Sequence, residues 1–187
     1  MKCLFRLVML FVFTASGLAF AGNAAPLGLE IGVATLAQVQ KEVGSKSKLM
    51  DGGINKYSGG KMLAGSGSGL GVDGLSEITF IFDQKDVLAA VVMKLPKGEG
   101  MNDMQNGLFK KTATALAAKY KQVERKEPFV GDASALFTQG SSVIELDAPH
   151  MGFNMELRYM TQDLRSRFNK QSSDDRAARD RNQASKL

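Results

Sequence analysis

The run Leu75-Ser76-Glu77-Ile78-Thr79-Phe80-Ile81-Phe82-Asp83, followed by Gln84-Lys85-Asp86 and then Val87-Leu88-Ala89-Ala90-Val91-Val92-Met93-Lys94-Leu95, reads as two strands and a turn. Ile78, Phe80 and Phe82 alternate with smaller or polar residues, so they line one face of a strand. The polar triplet is short enough for a hairpin connection. Residues 87–95 are apolar on both faces, which predicts a strand in the middle of a sheet. An antiparallel hairpin is therefore the local structure from which the rest of the chain is read.

Upstream, residues 27–31 suit an opening strand, and Thr35 with Gln38 has the spacing of a capping box. Leu36, Val39 and Val43 then fall on one helical face, and Gly44 suits a left-handed stop. Short extended pieces are expected at 48–50 and 54–57. Residues 57–74 contain seven glycines in eighteen positions. Such a stretch loses much backbone entropy when ordered, which predicts a mobile loop or a wide hairpin connection.

Downstream, Pro96-Lys97-Gly98-Glu99-Gly100 breaks the chain, and the order helix, then strands, repeats. Phe109, Ala113, Leu116 and Tyr120 form a helical stripe within a helix expected from Asn102 or Asp103 to Tyr120. Strands are expected at 133–138, 142–146 and 153–160. In the last, Phe153, Met155, Leu157 and Tyr159 point one way, and Asn154, Glu156 and Arg158 the other, wet way. Leu164 and Phe168 can start a terminal helix that docks once. Beyond it, residues 170–187 form a charged tail, disordered or a solvated helix. The predicted class is α+β: an antiparallel sheet with helices packed on one face, open to division into two tandem halves, 27–95 and 101–160, of a single domain at 22–169.

The first 21 residues read as a cleaved export signal. Lys2 and Arg6 precede an apolar run, and Ala19-Phe20-Ala21 offers small residues to a signal peptidase. Cleavage removes Cys3, the one cysteine, and leaves 166 residues with a single histidine and no tryptophan. No thiol chemistry, disulfide or thiolate metal site is then available. The expected location is periplasmic or secreted, with no transmembrane anchor after cleavage. Residues 22–162 carry 15 basic and 15 acidic side chains, whereas residues 163–187 carry seven against four. A neutral body argues against nucleic acid as a partner, and the tail suits at most a weak contact with an anionic surface.

Gly32-Val33-Ala34-Thr35-Leu36-Ala37-Gln38-Val39, continuing to Val43-Gly44, with Phe80-Ile81-Phe82-Asp83 and Leu88-Ala89-Ala90-Val91, resembles small envelope modules of the SmpA/BamE type and the tandem fold of β-lactamase inhibitory proteins. The resemblance covers about a third of the mature chain. It implies helices against an antiparallel sheet and action by protein binding. The chain departs from it in having neither a lipidated cysteine nor a disulfide.

Few residues suggest chemistry. Gly69-Leu70-Gly71-Val72-Asp73-Gly74 matches G-x-G-x-x-G, yet a strand follows where a nucleotide fold needs a helix. His150 lies near Asp147, a pairing that could orient a base toward a serine of the glycine-rich stretch. Ser66 and Ser68 both fail the spacing of a nucleophile elbow. No cofactor and no metal site is expected, since one histidine without cysteine makes a poor zinc set. The favoured expectation is a non-catalytic binding, inhibitor or assembly module whose partner is another envelope or extracellular protein. Its contact residues are Tyr57, Gly59 and Gly60 from the glycine-rich stretch and Asn154, Glu156 and Arg158 from the wet strand face. The alternative is a small periplasmic hydrolase with a carboxylate or His150 site.

Overall fold

A computed structural model describes residues 22–97 and 107–184. The expected export signal and the expected first turn of the second helix lie outside the described residues. Eight strands form one antiparallel sheet: β1 (Leu49–Ile54), β2 (Gly59–Ser66), β3 (Glu77–Asp83), β4 (Leu88–Pro96), β5 (Lys121–Lys126), β6 (Ala133–Gln139), β7 (Ser142–Ala148) and β8 (Asn154–Thr161). Helix α1 (Leu36–Gly44) precedes the first four strands, α2 (Gly107–Ala117) precedes the second four, and α3 (Gln162–Ala184) closes the chain. The spatial order is β1-β2-β3-β4-β8-β7-β6-β5, so each half is a helix followed by a four-stranded meander, and the halves join where β4 pairs with β8. The central position expected for residues 87–95 is thus occupied by β4, which has neighbours on both sides.

Alternation sorts the two faces. Ile78, Phe80, Phe82, Val91, Met93, Phe137, Ile144, Leu146, Met155 and Leu157 point to the first face, where Val39 and Val43 of α1 and Phe109, Ala113 and Leu116 of α2 complete the main core. Phe80, Phe82, Phe109 and Phe137 are fully buried. The second face is largely open. Among the described residues a small cluster forms there, with Ala89, Ala90 and Met160 under Leu164 of α3 and with Tyr57 and Ile81 against it.

The capping box forms as its spacing requires: the Thr35 amide donates to Gln38 Oε1 at 2.8 Å and the Gln38 amide to Thr35 Oγ1 at 3.4 Å. Gly44, by contrast, is not a left-handed stop. The amides of Lys46 and Ser47 both donate to the Val43 carbonyl, at 2.9 and 2.8 Å, which closes the helix without a positive φ.

Three further expectations are corrected. Residues 27–31 are not a strand. Pro26–Gly28 is a 3₁₀ turn with Leu27 at φ 54° and Gly28 at φ 79°, and the Ile31 amide returns to the Ala24 carbonyl at 2.9 Å, so the apolar residues are buried by a reversal. The glycine-rich stretch is not wholly a loop. Its first part is β2, because a chain lacking Cβ atoms can close tightly on its neighbour: a Cβ on Gly60 would stand 2.2 Å from the Phe82 carbonyl oxygen. Hydrogen bonds to strands on both sides offset the entropy that the composition argument weighed alone. Residues 67–76 remain a loop. Finally, Phe153 lies before β8 rather than in it and is 91% exposed.

β5 has no apolar alternation to announce it. Its Lys-Gln-Val-Glu-Arg-Lys sequence is that of a charged sheet edge, which discourages pairing with another chain.

Candidate functional site

The open second face gathers charge around Arg158. On β8 the inward positions go to Met155, Leu157 and Tyr159, which leaves Glu156 and Arg158 facing outward; on β7 the same alternation turns Glu145 and Asp147 outward. The register sets Glu145 opposite Arg158 and Asp147 opposite Glu156. On the other flank Val92 lies opposite Arg158, and Lys94 opposite Glu156. Four charged side chains from two adjacent strands therefore converge.

Arg158 donates to Asp147 through Nη2, which also stands 3.4 Å from Glu145 Oε2. Its Nη1 is 4.0 Å from Glu156 Oε1. Arg165 of α3 donates from Nε to Glu145 Oε1 at 2.7 Å, so the helix is tied to the sheet by charge as well as by Leu164. The Nε of Arg158 is buried with no hydrogen-bond acceptor. Its guanidinium lies 6.0 Å from the ring centre of Phe168, and that ring meets Tyr57 edge to face at 5.1 Å.

Between α3 and the sheet these groups enclose a cavity of about 190 Å³, lined among others by Tyr57, Ile81, Val92, Glu156, Met160 and Phe168. A second depression of about 410 Å³, bordered by Glu77, Thr79, Lys94 and Asn154, shares Val92, Glu156 and Arg158 with it. The two adjoin at these residues, and their succession across the sheet forms a groove. Burial raises the Glu156 carboxyl above its ordinary value; Lys94 opposes that shift, and the charge of Glu145 adds to it. On the first face, burial, with Tyr120 beside it, pushes the Tyr159 hydroxyl upward.

No family model and no curated protein matches the chain. A solved structure of a DUF4309 family protein, YjgB from Bacillus subtilis, is similar over 76% of this chain and 90% of its own, at 12% identity and a TM-score of 0.36.

Of the residues singled out in the sequence, Tyr57, Glu156 and Arg158 line the same cavity, and Asn154 borders the adjoining depression. Gly59 and Gly60 instead begin β2. The first has φ 71° and adjoins Gln84, and the second is pressed against the backbone of β3. Asp147 and His150 have separate engagements. Asp147 is taken up by Arg158, whereas the His150 amide donates to Asp132 Oδ1 at 2.7 Å and its carbonyl accepts from Lys97 Nζ at 3.4 Å. Ser66 Oγ accepts from the Ser68 amide at 3.2 Å, a local turn contact.

Sequence reasoning missed Phe168, Glu145 and Arg165 as members of the site. The outward position of Glu145 could have been found by extending the alternation through β7, but its pairing with Arg158 depends on register. Among the described residues no group of three or more His, Cys, Asp or Glu side chains could hold a metal ion. No described helix is long and apolar enough to cross a membrane.

Proposed function

We propose that this is an exported binding module that engages another envelope or extracellular protein through the second face of its sheet, without catalysing a reaction. The observation that carries this reading is the groove itself: an open sheet face with an apolar floor at Ile81, Val92 and Met160, an aromatic wall at Tyr57 and Phe168, and charged side chains held in place along it. Interfaces draw their energy from apolar and aromatic anchors, with charged groups at the margins selecting the partner. The part of the glycine-rich stretch that remains a loop, 67–76, leads directly into Glu77 at one end of the groove, where it can add contacts.

Photo-crosslinking tests the reading. Thr79, on the second face, and Thr114, exposed on α2, are each replaced by p-benzoylphenylalanine, and the protein is irradiated in the producing cell's envelope fraction. An adduct of defined mass is expected from position 79 and not from position 114. Equal labelling at both positions, or none at 79, would refute it.

A further inference from the structure

We infer that the groove takes an extended, basic segment of a partner protein, in which one lysine or arginine flanked by apolar residues places its cation against Glu156. This inference deepens the proposed function and rests on it. Among the described charges that line the groove, Glu156 is the least closely paired. Lys94 Nζ is held by Glu77 at 3.2 Å, Arg158 by Asp147 and Glu145, and Arg165 by Glu145 at 2.7 Å. Among the described residues Glu156 has the longest ion pair of the group, 4.0 Å to a guanidinium already shared by two other carboxylates, and the Lys94 that lies opposite it is itself held by Glu77. It stands at the junction of the two parts of the groove, with its side chain 47% exposed and within reach of a visitor.

The surroundings favour a cation on an apolar stem. Ile81, Ala90, Val92 and Met160 offer the stem an apolar bed, walled by the Tyr57 and Phe168 rings, on which Lys56 and Arg158 already rest their cations. The two cations that line the same depression, Lys94 and Arg158, are already held by Glu77 and Asp147, so an anion would meet paired cations beside Glu156, whereas a cation meets the carboxylate with the longest ion pair. Because the spaces of about 190 and 410 Å³ adjoin across Val92, Glu156 and Arg158, an elongated occupant such as a peptide segment can reach both, which a compact molecule cannot.

The probes are an alternating leucine–lysine hexapeptide, its leucine–glutamate counterpart and n-hexylamine, titrated into the purified protein with amide chemical shifts followed by NMR. The lysine peptide is expected to bind and to shift Tyr57, Val92, Glu156 and Phe168, while the glutamate peptide does not. Glu156→Gln, which keeps the shape of the side chain, should weaken the lysine peptide about tenfold, roughly 1.4 kcal/mol. Equal affinity for the two peptides, binding by neither, indifference to Glu156→Gln, or hexylamine binding as tightly as the peptide would each overturn the inference. If crosslinking at position 79 succeeds while the lysine peptide fails, only the basic chemistry of the partner falls. If crosslinking fails, the docking face falls with it.

Discussion

Glu156 and Arg158 occupy adjacent outward positions of one strand pair yet stand in opposite energetic situations. Arg158 holds two carboxylates, and one of them, Glu145, is mostly buried with its side chain 16% exposed. Replacing Arg158 with alanine strands Asp147 and leaves Glu145 with Arg165 alone, a change expected to lower stability by about 1–3 kcal/mol in urea titrations. Wild-type stability would signal that solvent satisfies these carboxylates. Glu156 behaves in the reverse sense. Burial raises its carboxyl in the folded chain above the ordinary value of 4.5, so its contribution is fully present below that value and is lost as pH rises through the folded one. Glu156→Gln should therefore match wild type at pH 3 and exceed it in stability near pH 7, as read from denaturation midpoints across that range. A less stable variant at pH 7 would mean that the ion pair with Arg158 outweighs burial. The outward direction of both residues was legible from alternation in the sequence, whereas their partners were not, because ion pairing across strands depends on register set by the whole sheet.

Strand β2 is the element on which composition and structure part most clearly. Seven glycines in residues 57–74 argue for a loop if only backbone entropy is weighed, yet Leu63, Ala64 and Gly65 sit between two neighbours that supply a ladder on each side. Gly60→Ala would drive a Cβ to within 2.2 Å of a carbonyl oxygen of β3, a backbone atom that cannot move without breaking the ladder. The expected loss is on the order of 3 kcal/mol. Gly44→Ala is the matched control. It meets no heavy atom within 4 Å, has an ordinary φ and ends a helix, so it should be neutral or stabilising by up to ~1 kcal/mol. Similar melting shifts in the two variants would remove the close-approach explanation for β2. The β3–β4 hairpin was readable because its pattern is local and amphipathic, and its Phe80 and Phe82 are fully buried. Edge strand β5, all polar but for Val123, carries no such pattern, and its pairing with β6, from Lys121 opposite Thr138 to Lys126 opposite Ser134, is what makes it a strand.

The whole molecule divides by charge into a neutral body and a basic end, and α3 spans the boundary. Its first two turns belong to the body: Leu164 is buried against Ala90 and Met160, Arg165 is paired with Glu145, and Phe168 meets Tyr57. From Gln171 onward no described residue is buried, and the helix is accompanied by exposed (i, i+4) contacts such as Lys170 Nζ to Asp174 at 3.1 Å and Gln171 Nε2 to Asp175 at 2.9 Å. Contacts of this kind contribute about 0.2–0.5 kcal/mol each to a helix, far less than the packed first turns contribute to docking. The composition of the tail allowed either disorder or a solvated helix, because without burial the balance rests on helix propensity and those small pairs. Deleting everything after Lys170 should thus leave the unfolding midpoint within about 1 kcal/mol of the full chain, while binding to anionic vesicles, measured by sedimentation, falls and becomes less sensitive to salt. A large drop in midpoint would show that the distal helix stabilises the body, for instance through Lys56, whose charged form is favoured first by the hydrogen bond it donates to Tyr57 and by the charge of Tyr57, and least by Asp175. Unchanged vesicle binding with an unchanged midpoint would assign the tail no part in surface attachment and leave the groove as the molecule's one proposed contact.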